Sequence, residues 1–154
     1  MLVSAVLLLG LSGCETACRR RAIQVHLSQA NPPVFSILSD EFGVSFSLKE
    51  VNEKNQTQPP GGQVYPNISL WTLQFDDQQG FFDRHRTAHL ETLTYGQIPP
   101  GYRQLIPANN TPPPPLRENK IYEAMVTTNA GGNPGVVWFK VQGATSVAVP
   151  IPKP

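Results

Sequence analysis

Along residues 22–28, AIQVHLS, apolar and polar side chains alternate: Ile23, Val25 and Leu27 share one face of an extended chain, Gln24, His26 and Ser28 the other. A period of two is the signature of a half-buried strand. The pattern recurs. GVSFSLK turns Val44, Phe46 and Leu48 inward against Ser45, Ser47 and Lys49. ISLWTLQF aligns Trp71, Leu73 and Phe75, and KIYEAMVT aligns Tyr122, Ala124 and Val126. GVVWFKV aligns Val137, Phe139 and Val141, and TSVAVPI aligns Val147, Val149 and Ile151, again as core-facing sets. A shorter strand is expected at VFSIL, and another near HLETLTY, where alternation is poorer. Turn signals separate these runs: Asn31-Pro32-Pro33, Pro59-Pro60-Gly61-Gly62, Pro99-Pro100-Gly101 and Gly131-Gly132-Asn133-Pro134-Gly135. No long segment carries a helical period with caps. Seven to nine short strands over about 130 residues predict an all-β, antiparallel sandwich.

One strand narrows the expectation. KIYEAMV follows PPPPLRENK, which places Leu116 six residues before Tyr122. This resembles the tyrosine corner of immunoglobulin-like and fibronectin type III domains, where the tyrosine opens strand F and its hydroxyl bonds the backbone a few residues upstream. The resemblance spans residues 32–145 and implies that Trp71, on what would be strand C, packs in the same core. Ala124 stands two residues after Tyr122, where antibody domains carry cysteine, which favours the disulfide-free, fibronectin-like variety. A jelly roll or small barrel also satisfies the alternation. Pro112–Pro115 have no amide hydrogen and cannot continue a ladder, so they predict a polyproline II loop leading into strand F. The other use of such a run is recognition by a proline-binding module.

Composition changes the picture mainly by exclusion. Lysine plus arginine number 12 and aspartate plus glutamate 11, a net charge of +1. Without a basic excess, and with its one basic cluster at Arg19-Arg20-Arg21, the chain is not expected to bind nucleic acid. Sixteen prolines and 12 glycines make it turn-rich, yet an apolar fraction of 40% is that of a folded protein. The two cysteines, Cys14 and Cys18, lie near the N-terminus, so neither a disulfide nor a thiolate zinc cage is expected in the body.

Residues 2–11, LVSAVLLLGL, are apolar but fall short of the roughly 20 residues a membrane-spanning helix needs. Their length is that of the apolar region of a secretory signal. Leu11-Ser12-Gly13-Cys14 resembles the lipobox of bacterial lipoproteins. That resemblance implies cleavage between Gly13 and Cys14, a diacylglycerol on the Cys14 thiol and acylation of its new amine. It divides the chain into a signal peptide (1–13), a lipid-anchored linker (14–21) and a sandwich domain (22–154). Two features depart from the pattern: no basic residue precedes the apolar run, and three arginines follow the cysteine closely. A reverse-oriented anchor or a buried first strand are the other readings. Glu15 leans towards the outer membrane, since an aspartate there often signals inner-membrane retention in lipoproteins. The stretch from Tyr95 to Val126 is also similar to one found in small bacterial lipoproteins of unknown role.

Candidate chemistry is sparse. Asp83, His85 and His89 form a cluster in which a metal site competes with a solvated loop, and no glutamate sits between the histidines in the metalloprotease position. Asp76-Asp77 reads as a solvated turn, and no phosphate loop, dinucleotide fingerprint or nucleophile elbow is present. Trp138 alternates with Val137 and Phe139 and so should point outward, with Tyr102 or Phe82 as possible neighbours in a partner surface. Tyr95-Gly96 to Tyr102-Arg103 reads as a loop bearing aromatic and basic groups. Together these features predict a non-catalytic binding or adaptor module without a cofactor, lipid-anchored in the bacterial cell envelope, facing the periplasm and meeting a protein partner. An immunity lipoprotein that neutralises a secreted toxin, and a metal-dependent envelope enzyme using the Asp83 cluster, are the alternatives.

Overall fold

The computed structural model describes residues 23–38, 44–56, 66–76, 91–128 and 133–150. These form nine strands and one helical turn: β1 (Gln24–Leu27), β2 (Val34–Leu38), β3 (Val44–Glu50), α1 (Glu53–Gln56), β4 (Ile68–Phe75), β5 (Thr92–Thr94), β6 (Tyr102–Ile106), β7 (Ile121–Thr128), β8 (Gly135–Gln142) and β9 (Thr145–Val149). Two antiparallel sheets face each other, one ordered β1-β2-β5 and the other β6-β4-β3-β7-β8-β9. In immunoglobulin lettering β1, β2 and β5 stand as A, B and E, and β3, β7 and β8 as C, F and G. The fold is an all-β, antiparallel two-sheet sandwich.

The alternating apolar sets meet between the sheets. Phe35, Phe46, Leu48, Trp71, Leu73, Tyr122, Ala124, Val126 and Phe139 are fully buried. Six rings touch in succession through the core. Tyr95 meets Trp71 at 5.3 Å between centroids, Trp71 meets Phe46 at 5.5 Å, and Phe46 meets Phe35 at 5.1 Å. Phe35 meets Phe139 at 5.8 Å and Phe139 meets Tyr122 at 5.4 Å. Most of these contacts are edge-on or tilted, the arrangement the ring quadrupole favours. At the β1 edge Gly135 permits a close approach: a Cβ there would lie 2.8 Å from the Ile23 carbonyl oxygen and from methyls of Ile23 and Val25.

Three expectations are corrected. Trp71 lies on β4, outside strand C in the C′ position, because β3 already occupies C beside β7. The supposed loop at Tyr102-Arg103 is strand β6. Its alternation is hidden because the inward residue opposite Leu73 is polar Gln104, and a register shift at Leu105 then turns Ile106 outward opposite Thr72. Strand β9 is phased opposite to expectation. Gln142 pairs with Thr145 across Gly143-Ala144, so a two-residue hairpin with Gly143 at φ +59° sets the register. Ser146 then faces inward opposite Val141, and Val147 and Val149 join Lys140 and Trp138 on the outer face.

Candidate binding surfaces

The connection from β6 to β7 is built from inside. The chain leaves Pro107, turns through Asn109 and Asn110, both left-handed at φ 59° and 54°, and enters Thr111–Arg117. Asparagine tolerates this conformation better than other side chains. Proline fixes its own φ near −65° and restricts the residue before it to the extended region. Thr111 and Pro112–Pro114, each followed by a proline, are thereby biased towards polyproline II.

Such a helix has three residues per turn, so every third residue lies on one edge. Three buried side chains hold the backbone at that interval. The Gln104 amide donates to the Thr111 carbonyl at 2.7 Å, and the Tyr95 hydroxyl donates to the Pro114 carbonyl at 2.8 Å. The Tyr122 hydroxyl accepts from the Arg117 amide at 2.7 Å and donates to the Arg117 carbonyl at 3.1 Å. Gln104 also donates to the Pro107 carbonyl at 2.8 Å, and its carbonyl oxygen accepts from the Trp71 indole at 2.8 Å. Burial pushes the Tyr95 and Tyr122 hydroxyls up from the ordinary range, so both remain protonated donors. Leu116 packs against the core, and Pro113 lies beside Gly96, whose φ is +85°. At the end of the rail the Arg117 guanidinium grips buried Glu50 at 2.5 and 2.7 Å, and this bond pushes the guanidinium higher still. Lys120 pairs with Glu53 just beyond and holds that carboxyl below the usual range.

The second surface is the outer face of β7–β8–β9. Trp138 is half-buried and stands between Glu123 on β7 and Val149 on β9. Val136 and Lys140 flank it along β8, Val147 sits opposite Lys140, and Met125 opposite Val136. Val136 is 36% and Val147 39% exposed, so part of this apolar strip meets solvent.

Tyr102 does not share that surface. It pairs with Phe75 on the inner face of β6, its ring 5.6 Å from that of Phe75, and packs against the core. Four strand spacings, about 19 Å, and the thickness of the sheet separate it from Trp138. Its hydroxyl is buried without a hydrogen-bond partner among the described residues, and burial pushes it up to about 12. Phe82, Cys14, Cys18, Arg19–Arg21, Asp77, Asp83, His85 and His89 lie outside the described residues. Among the described residues no three His, Cys, Asp or Glu side chains converge as metal ligands, and no helix is long and apolar enough to cross a membrane.

Sequence reasoning missed Gln104, Tyr95, Val147 and Val149. The two-residue turn at Gly143-Ala144 carries the signal for the valines; nothing local marks Gln104 as inward. No protein-family model, curated protein or solved structure matches the chain.

Proposed function

We propose that the chain is a non-catalytic binding or adaptor module of the bacterial cell envelope, lipid-anchored through Cys14 and facing the periplasm. The observation that carries the reading is Leu11-Ser12-Gly13-Cys14 at the end of an apolar run too short to span a membrane. The sandwich adds a rigid body that presents the Trp138 strip on an outer sheet face, away from the core. Lipid on Cys14 concentrates that face at a membrane and raises the effective concentration of the module for any envelope partner.

Cells grown with labelled palmitate test the reading. Label on this polypeptide, lost in Cys14→Ala together with membrane fractionation, is the expected result. An unlabelled chain whose fractionation is the same in Cys14→Ala rejects the anchor.

A further inference from the structure

The geometry points to a second contact element, independent of the anchor and of the Trp138 face: the solvent side of Thr111–Arg117 is a docking ridge for a protein with an aromatic-lined polyproline groove and an acidic group at one end. The three edges of this helix are used unequally. Pro113 and Leu116, on one edge, are partly buried against the domain. Thr111, Pro114 and Arg117 on another edge, and Pro112 and Pro115 on the last, are exposed. A groove in a partner surface meets two edges of a three-sided helix and leaves the third free. Here that edge, Pro113 and Leu116, packs against the domain; the carbonyls of Thr111, Pro114 and Arg117 are bonded by it while their side chains stay exposed.

The exposed residues form two consecutive pairs, Thr111-Pro112 and Pro114-Pro115, repeating at about 9 Å. Pyrrolidine rings offer flat apolar faces that pack on aromatic rings, and this is how grooves for such helices gain specificity. Arg117 follows Pro115 by two residues, and its side chain is 62% exposed although its Nη2 is bonded to Glu50. The remaining guanidinium donors suit a carboxylate approaching from the Arg117 edge. Glu118, next along the chain, is exposed and bridges Val141 through its backbone, and its carboxylate disfavours an acidic group on that side. A free peptide of this composition loses chain entropy when it docks. In this domain Gln104, Tyr95 and Tyr122 have already removed that freedom, so the ridge binds more tightly than the same peptide alone.

The probe is a purified SH3-type domain selective for Pro-x-x-Pro-x-Arg peptides, titrated into the isotope-labelled full chain and followed by NMR. Shifts confined to residues 111–118 and adjoining Gly96, with half-saturation below about 1 mM, are expected. Pro112→Ala combined with Pro115→Ala weakens binding at least tenfold while the melting temperature and the fluorescence of buried Trp71 stay near those of the parent. If the double variant loses its fold, Thr111→Glu, which keeps all four prolines, serves in its place and also weakens binding. A parent chain without shifts at about 1 mM, shifts that map away from the rail, or folded variants that bind as the parent does overturn the proposal. Palmitate labelling of Cys14 has no bearing on any of these outcomes.

Discussion

Tyr122→Phe removes one oxygen atom from the centre of the rail's last anchor and changes nothing else in volume or shape. The ring is fully buried, 5.4 Å from Phe139, and the variant keeps that packing. Two hydrogen bonds disappear, one accepted from the Arg117 amide at 2.7 Å and one donated to its carbonyl at 3.1 Å. Each contributes about 1 kcal/mol net, and partial solvent access to Arg117 limits the penalty for unpaired groups, so the loss is about 2 kcal/mol. For a folded body of this size that corresponds to a melting temperature lower by roughly 6–10 °C. Tyr102→Phe is the internal control. Its hydroxyl is buried without a partner among the described residues, so removing it costs less than about 0.5 kcal/mol or stabilises slightly. Urea unfolding of both variants, followed by tryptophan fluorescence, reads the two values at an unchanged slope. Hydrogen exchange at the Arg117 amide adds a local measure, since Tyr122→Phe releases that donor. Equal losses in the two variants, or a Tyr122→Phe loss below about 0.5 kcal/mol, would refute the assignment of Tyr122 as an anchor of the rail.

Other perturbations have equally definite outcomes. Gln104→Leu leaves the Trp71 indole and the carbonyls of Pro107 and Thr111 without their partner and should cost about 3 kcal/mol in urea unfolding, with altered Trp71 fluorescence. Gly135→Ala sets a Cβ 2.8 Å from the Ile23 carbonyl and should destabilise by about 1–3 kcal/mol, with β1 losing exchange protection first. The folded chain holds the Tyr102 proton more tightly than the unfolded chain, from a reference of 10.0 to about 12. That stability is fully present below pH 10 and is lost as pH rises towards 12, so the urea midpoint should fall across this window and Tyr102→Phe should shallow the fall. Trp138→Thr on the outer sheet face should change stability by less than Gln104→Leu does, and should reduce cross-linking to a partner protein in the membrane fraction while membrane fractionation itself, set by Cys14, stays the same.

How much of this was legible depended on whether a residue's role is set within its own segment. Strands β3, β7 and β8 read cleanly because their inward positions are all apolar, from Phe46 through Tyr122 to Val141, and one sheet face is buried along their length. The extended bias of Pro112–Pro114 is likewise written into covalent geometry. Strand β6 was invisible because Gln104 faces inward, and a buried amide is tolerated there only since Trp71, thirty-three residues away, supplies a donor and two carbonyls supply acceptors. No window around Gln104 contains that information. The spacing of Leu116 and Tyr122 suggested a corner, but not that Gln104 and Tyr95 would repeat the same bond at three-residue intervals.

Strand β9 shows why the same limit bears on function. Its sequence alternates well, and alternation alone assigns its valines to the core. Register is decided elsewhere, by the Gly143-Ala144 turn and by pairing with β8. Once that pairing is imposed, the small hydroxyl of Ser146 takes the inner position, 1% exposed, and the two valines surround Trp138 outside. A lone outward tryptophan on a strand is unremarkable. A tryptophan joined by Val136, Val147, Val149 and Met125 is an apolar group on the outer face beside β9, the last strand of its sheet among the described residues, and such a group is the kind of surface that a partner covers. The surface therefore arises from the hairpin, and a change that slips the β8–β9 register by one residue would turn the valines inward and dissolve it while leaving every one of its side chains in the sequence.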